Sequence, residues 1–379
     1  MSFNSNTLFS SSFLKTFHYE TPFFLFSKQK ILDNFKRFQA LFPKASIYYA
    51  MKANSEPELL RLLASAGSGF EVASKYELFI LQKLKVPPEK IIYGTAVKPL
   101  SHIAEFYRYG VQHFAFDSAS ELEKIAQAAP KSSVYCRVLV NDKGSLYRFS
   151  EKFGTERKQV LSLFQRAQEL SLKPCGLSFH VGSQANDARA WGDALESLEP
   201  LVSALSRQGI RLSMIDLGGG YPFQYLSTER SITLEQIAQC AGAAYRRWPY
   251  QPRLIVEPGR AMVADTAVLV ASVVARIQRT RREWLFLDSG VYNALYEALA
   301  FQGAVRYPID TLRDSVGSAK TPYSIAGPTG DSWDVIARDY LLPNDIQIGE
   351  RMAIRDVGAY SLVVASAFNG FPKPMAYFV

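Results

Sequence analysis

Cysteine is scarce in this chain, with only Cys136, Cys175 and Cys240 among 379 residues. Their odd number argues against a disulfide framework, and none of their spacings suits a metal-binding pair. That pattern fits a reducing cytoplasm. Long apolar runs are missing too: no stretch approaches the roughly 18 residues of a membrane span. The N-terminus, MSFNSNTLFSSSFLKTFHYE, lacks the basic segment followed by an apolar one that directs secretion. The expected location is therefore the cytoplasm. A basic stripe interleaved with aromatics is also absent. The net charge is +8 and the pI near 9.2, yet basic residues are scattered apart from Arg246-Arg247 and the cluster Arg276, Arg279, Arg281 and Arg282. Nucleic-acid binding is not expected from that distribution. A solvated basic surface and an anionic small-molecule substrate both fit it.

What is present is a large apolar fraction. At 48% hydrophobic and 21% charged residues, the chain can bury a sizeable core, and its length predicts two domains. Short strand-like runs occur at 46–50, 69–72, 91–94, 113–116, 134–139, 176–181, 214–217 and 253–257. Between them lie segments of helical spacing such as Glu56–Ala66, Ser118–Ala129 and Glu156–Leu170. Eight strands alternating with helices predict a (β/α)8 TIM-like barrel over residues 30–260. A doubly wound open sheet would need a Gly-rich turn after the first strand, and Met51-Lys52-Ala53 stands there instead. After residue 260 the runs Ala267–Arg276 and Trp284–Leu287 are punctuated by Gly and Pro. They predict a mostly antiparallel β domain over 261–379, joined by residues 1–29 with their Phe23-Phe24-Leu25-Phe26 run.

The chemically loaded residues fall at strand ends. Lys52 follows the first strand, Glu71 lies in the second, and Arg148 falls in the connection after the fifth. His180 is expected in the sixth, Gly218-Gly219-Gly220 follow the seventh, and Glu257-Pro258-Gly259-Arg260 end the eighth. In a barrel these ends share one face, where such folds place their active sites. A lysine at that position can form a Schiff base with an aldehyde or with pyridoxal phosphate (PLP). Consecutive glycines let backbone N–H groups approach a phosphate, and Arg260 can add a charge-assisted bond. Glu257 is placed to hold a pyridine nitrogen protonated, His180 to stack on the ring, and Ser183 to offer a hydroxyl.

With these residues assembled, the chain resembles the fold-type III PLP-dependent decarboxylases, the ornithine and diaminopimelate decarboxylase family. The resemblance rests on YYAMKAN around Lys52, GFEVAS around Glu71, HVGSQ at 180–184, DLGGGYP at 216–222 and EPGR at 257–260. It continues in GPTGDSWD at 327–334, DVGAYS at 356–361 and FNGF at 368–371. The Tyr-Pro after the glycines, with GAY and FNGF, is closer to the ornithine branch. The resemblance implies that Lys52 holds PLP, that Glu257 meets its ring nitrogen and that His180 lies against the ring. It assigns the remaining cofactor contacts to Glu71, Arg148, Ser183, Gly219, Gly220, Gly259, Arg260 and Tyr360. It further implies a homodimer with shared sites, in which Asp331 reaches the distal end of the partner's substrate near Phe301, Phe368 and Asn369.

Two departures stand out. Gly330 occupies the place of a family cysteine associated with reprotonating Cα. The stretch Glu297–Gly303 has no acid where the ornithine branch carries the partner of the distal amine. The expected substrate is therefore either ornithine or lysine, as in polyamine synthesis, or an ornithine acylated on its distal amine by a group such as citryl, as in siderophore synthesis. An ornithine-decarboxylase-like regulatory binding protein is the alternative suggested by Gly330. A racemase is disfavoured by the acid at Glu257, since that class pairs the ring nitrogen with arginine.

Overall fold

The computed structural model describes residues 8–227, 232–280, 282–301, 303–313 and 319–379. Arg281 of the basic cluster, Gln302 of the stretch Glu297–Gly303 and the first seven residues lie outside the described residues. The chain divides into two compact units, one of residues 33–222 with 230–261, the other of 1–32, 223–229 and 262–379.

The first unit is a closed barrel of eight parallel strands. They run Ala45–Ala50, Gly69–Val72, Ile91–Tyr93, His113–Phe116, Ser133–Arg137, Lys173–Ser178, Met214–Asp216 and Arg253–Val256. Closure comes from the last strand pairing with the first, Val256 opposite Ile47. Most of these strands are rich in β-branched or aromatic residues, which fit a pleated surface buried on both faces, whereas Lys173–Ser178 has none. Side chains from nearly every strand, among them Tyr48, Ile92, Tyr135, Met214 and Ile255, pack into one buried cluster. The second strand gives that layer no side chain: a Cβ on Gly69 would lie 2.7 Å from the Tyr48 ring. Glycine here makes room for the tyrosine.

Helices between the strands follow from their own signals. Pro57 starts the helix Pro57–Ser65, which buries Leu59, Leu60 and Leu63 on one face. Each such leucine stabilises the fold by about 1.5–3 kcal/mol. Helix Leu234–Tyr245 begins with a capping box in which Thr233 and Gln236 satisfy each other's backbone N–H. Among the described residues no helix is long and apolar enough to cross a membrane.

The second unit is a mostly antiparallel sheet built around the long strand Ala267–Arg279. Its first half pairs with Phe23–Phe26 on one side and Arg351–Arg355 on the other. Its second half forms a hairpin with Arg282–Leu287. Lys320–Ala326 then joins in parallel, and Val335–Pro343 follows antiparallel. Phe23–Phe26 is wholly buried because both of its faces are covered. Phe24 and Phe26 enter one apolar cluster, while Phe23 and Leu25 enter the opposite one.

Candidate active site

At the barrel mouth the first strand ends at Ala50 and turns through Met51–Ala53. Met51 and Ala53 are buried, so the turn leaves Lys52 pointing away from the core with its side chain 41% exposed. Its Nζ donates to Glu71 Oε2 at 2.5 Å, and that carboxylate is only 4% exposed. Gly94, just past the third strand, provides the space: a Cβ there would come 2.5 Å from Glu71 Oε1.

Two further acids join this pair. Asp216 ends the seventh strand and Glu257 follows the eighth, and both are buried. Burial raises the Glu257 carboxyl well above its ordinary range, with Asp216 and Glu71 adding to the rise and Lys52 opposing it. Asp216 is pushed up to about 6, chiefly by burial, against a hydrogen bond with Glu257 and one from the Gly218 N–H at 2.9 Å. Among the described residues Asp216 Oδ2 meets no N–H or O–H donor. The contact with Glu257 therefore needs one carboxyl of the pair to carry a proton. Arg137, the last residue of the fifth strand, is depressed by burial but supported by the charges of Glu257, Glu71, Asp117 and Asp216. It is the cation of this cluster that sequence reasoning missed. Arg148, expected as a cofactor contact, is exposed.

The glycine triplet forms the next wall. Gly218 and Gly220 have φ of +62° and +95°, open to glycine at little cost. A Cβ at Gly218 would stand 2.2 Å from the Phe179 carbonyl oxygen, and one at Gly220 2.3 Å from that of Gly182. Gly218→Ala is expected to destabilise the protein by about 1–3 kcal/mol, read as a lower urea midpoint at unchanged slope. An unchanged midpoint would mean the loop is looser than the contact distances require. Among the described residues the N–H groups of Gly219 and Gly220 donate to no protein group, which leaves them available to an anion.

His180 lies just beyond the sixth strand, which ends at Ser178, rather than inside it as expected from sequence. The strand stops there because the chain swings out to form Ser183–Ala185, which pairs with Ser145–Tyr147. The His180 Nδ1 accepts from the Gly182 N–H at 3.0 Å, and Phe149 packs edge-on at 4.8 Å. Burial, followed by the charges of Arg137 and Lys52, holds the imidazole well below its usual range. The ring is thus neutral, with its proton on Nε2. Ser183 is half-buried at the start of the short strand, and Arg260 is buried at the start of helix Arg260–Val263. Gly259 packs against the turn that carries Lys52, its notional Cβ 3.0 Å from Ala53 Cβ.

An amine, a protonated carboxyl, a neutral imidazole and unpaired glycine amides together suit PLP. They match its aldehyde, ring nitrogen, ring face and phosphate in turn.

The second unit carries the other expected residues. Asp334 is buried and organises the loop 327–334, accepting from the Val291 N–H at 2.8 Å and from the Thr329 hydroxyl at 2.7 Å. Asp331, further out on this loop, accepts from the Trp333 N–H at 2.9 Å and the Tyr292 hydroxyl at 2.8 Å. Those two bonds hold its carboxyl below the usual range, so it is ionised. Tyr292 also packs against Phe368, centroids 4.6 Å apart. The Gly330 N–H donates to Asn369 Oδ1 at 3.3 Å, which places Phe368 and Asn369 beside Asp331. Phe301 caps helix Tyr296–Ala300 and leans on the apolar core, and Tyr360 is half-buried with φ of +51°.

Comparison with known proteins agrees with this chemistry. Residues 28–264 match the family model of the pyridoxal-dependent decarboxylases, pyridoxal binding domain. The lysine/ornithine decarboxylase of Selenomonas ruminantium is 34% identical over 358 residues, covering 93% of this chain and 88% of that one. Antizyme inhibitor 2 of Xenopus laevis is 31% identical over 94% of this chain and 80% of its own. The solved structure of the Vibrio vulnificus lysine/ornithine decarboxylase with putrescine superposes with a TM-score of 0.89 at 27% identity, covering 98% of this chain and 99% of that one. A lysine at the mouth of a closed barrel, a buried acid just past its eighth strand and a family match through the whole barrel lead to one assignment: the chain belongs to the PLP-dependent decarboxylases of the ornithine and lysine decarboxylase type.

Proposed function

We propose that this protein removes carbon dioxide from an L-amino acid whose long side chain ends in an amine, free as in ornithine or lysine, or acylated. The observation that carries the reading is the Lys52–Glu71 ion pair at the barrel mouth, in the field of Glu257. PLP, when bound, supplies the sink for the electron pair left on Cα as carbon dioxide departs.

The chain's own residues set up that step. Lys52 Nζ would hold the cofactor through its aldehyde group, at a place open to the substrate amine. Its partial exposure lets that amine reach it. Glu257 holds a proton towards the ring nitrogen, and its burial beside Asp216 is what keeps that proton in place. His180, being neutral, covers the ring without adding charge. Gly219, Gly220, Gly259, Arg260, Ser183 and Tyr360 are assigned to the phosphate. We further propose a homodimer in which Asp331 of one copy meets the distal end of the substrate held by the other. An ionised Asp331 suits a free ammonium, whereas the lack of an acid at positions 298–303 suits an acylated amine.

With Gly330 bearing no proton, Cα receives one from Lys52 Nζ or from water. No heavy atom lies within 4 Å of a Cβ built on Gly330, and its backbone is not left-handed. Gly330→Cys should therefore fold as the wild type does. Should the proton reach the cofactor instead of Cα, the turnover would end in a carbonyl product, and Gly330→Cys is expected to cut the share of such turnovers by about 10²-fold, the low end for a placed proton donor. Mass spectrometry of products checks this, and an unchanged share would place the proton source elsewhere.

The absent donor at Gly330 also favours a second reading, a regulatory binding protein of the antizyme-inhibitor kind. The retained Lys52, Glu257 and open glycine amides weigh against it. Both are tested by incubating the PLP-loaded protein with L-ornithine, L-lysine and N5-citryl-L-ornithine and weighing the amines formed. A product lighter by carbon dioxide is expected, and a cofactor-loaded protein that decarboxylates none of them would sink the proposal.

A further inference from the structure

We infer that the second unit carries a binding cavity for an organic anion with two or more carboxylates, lined by Arg279, Arg282 and Arg338. The cavity is about 690 Å³, and Trp284, Phe286 and the loop residue Asp331 complete its walls. Arg279 and Arg282 stand directly opposite each other in the hairpin. Like charges in that register repel, and neither has an ion pair among the described residues. In the same hairpin Arg276 shows the usual remedy, with its Nε 2.5 Å from Glu283 Oε1. The Arg338 guanidinium lies over the Trp284 ring, 5.5 Å from its centroid, which holds it at the cavity wall.

The acids in the lining form no ion pair with these arginines among the described residues, and the three arginines outnumber the two carboxylates. Asp331 is engaged by Tyr292 and Trp333, and Asp334 by the loop it organises. Three arginines, whose guanidinium groups are planar donor forks, therefore line one space together with Trp284 and Phe286. Carboxylates on a short carbon frame match both features. The loop 327–334 forms one wall, and it is the loop assigned above to the distal end of the substrate. Resting on that reading, the geometry selects a substrate whose distal amine is acylated by a polycarboxylate over one with a free ammonium, which three arginines repel.

The test uses the PLP-loaded protein, wild type against Arg338→Gln and Arg282→Gln. The ratio of kcat/KM for N5-citryl-L-ornithine over L-ornithine is expected to fall at least about 10-fold in each variant, the loss of one charge-assisted hydrogen bond. Citrate binding, followed by calorimetry, is expected in the wild type and weakened to the same degree in the variants. A ratio unchanged by either substitution, or no citrate binding to the wild type, would overturn the assignment. If neither compound is decarboxylated, the proposed reaction fails, while citrate binding still decides the cavity.

Discussion

Lys52→Ala is expected to abolish the visible absorbance of bound PLP and to lower kcat by at least about 10³-fold, the scale of removing a covalent group from an active site. The size follows from chemistry: only an amine that can lose its proton forms the bond to the aldehyde carbon. Lys52→Arg should fail equally, because a guanidinium is never deprotonated at working pH. Neither change should unfold the protein. Lys52 is 41% exposed, and the buried Glu71 it leaves behind stands among acids already held partly protonated by burial. Absorbance, kcat and thermal midpoint, measured together, check the set. A Lys52→Ala protein that binds PLP with its usual visible band would place the anchor on another lysine.

Glu257→Gln is the second large effect. The glutamine fills the same space and still accepts a hydrogen bond, but it offers no acidic proton to the ring nitrogen and no negative charge to hold one there. A fall in kcat of about 10²–10³ is expected, the range for losing one preorganised electrostatic partner. Cofactor binding should persist through Lys52 and the glycine loop. The same substitution has an opposite effect on stability. Because the folded-state pKa of Glu257 is raised, its contribution is fully present below its unfolded value of 4.5 and is lost as pH rises through the folded value. In the cofactor-free protein the glutamine variant should thus gain thermal stability over wild type as pH rises from about 5 to about 8. A gain that shrinks over that range would mean Glu257 is ionised and well paired instead.

The barrel strands were legible because runs such as Ser46–Ala50 and Leu254–Val256 combine β-branched and aromatic residues with flanking helical patterns. Lys52, Glu257 and the glycine triplet were legible for a related reason, since each follows such a run and barrel closure puts all run ends on one face. The carboxyl cluster was not legible. Glu71, Asp216 and Glu257 are far apart in sequence; the pairing of the seventh strand with the eighth sets Asp216 beside Glu257, and the pairing of the last strand with the first brings Glu71 within their field. Arg137 was not legible because it ends an apolar strand run with nothing in the sequence to mark it as facing the carboxyls. The register that ends that strand at Arg137 leaves its side chain half-buried within the field of Glu257 and Glu71, whereas Arg148 is exposed. His180 was read into its strand because Phe179 and Val181 continue the apolar pattern. The chain departs after Ser178 to pair with Ser145–Tyr147. The arginine cavity lay hidden for the same reason, since hairpin register alone sets Arg279 against Arg282.

The most direct test of the central claim is to reduce the PLP-loaded protein with borohydride and map the modified peptide by mass spectrometry. The account predicts a pyridoxyl group on Lys52. Lys98 is the informative competitor, a buried lysine lowered to about 8 by desolvation against its pairing with Glu121. Modification at Lys98, or no modification, would contradict the site described here.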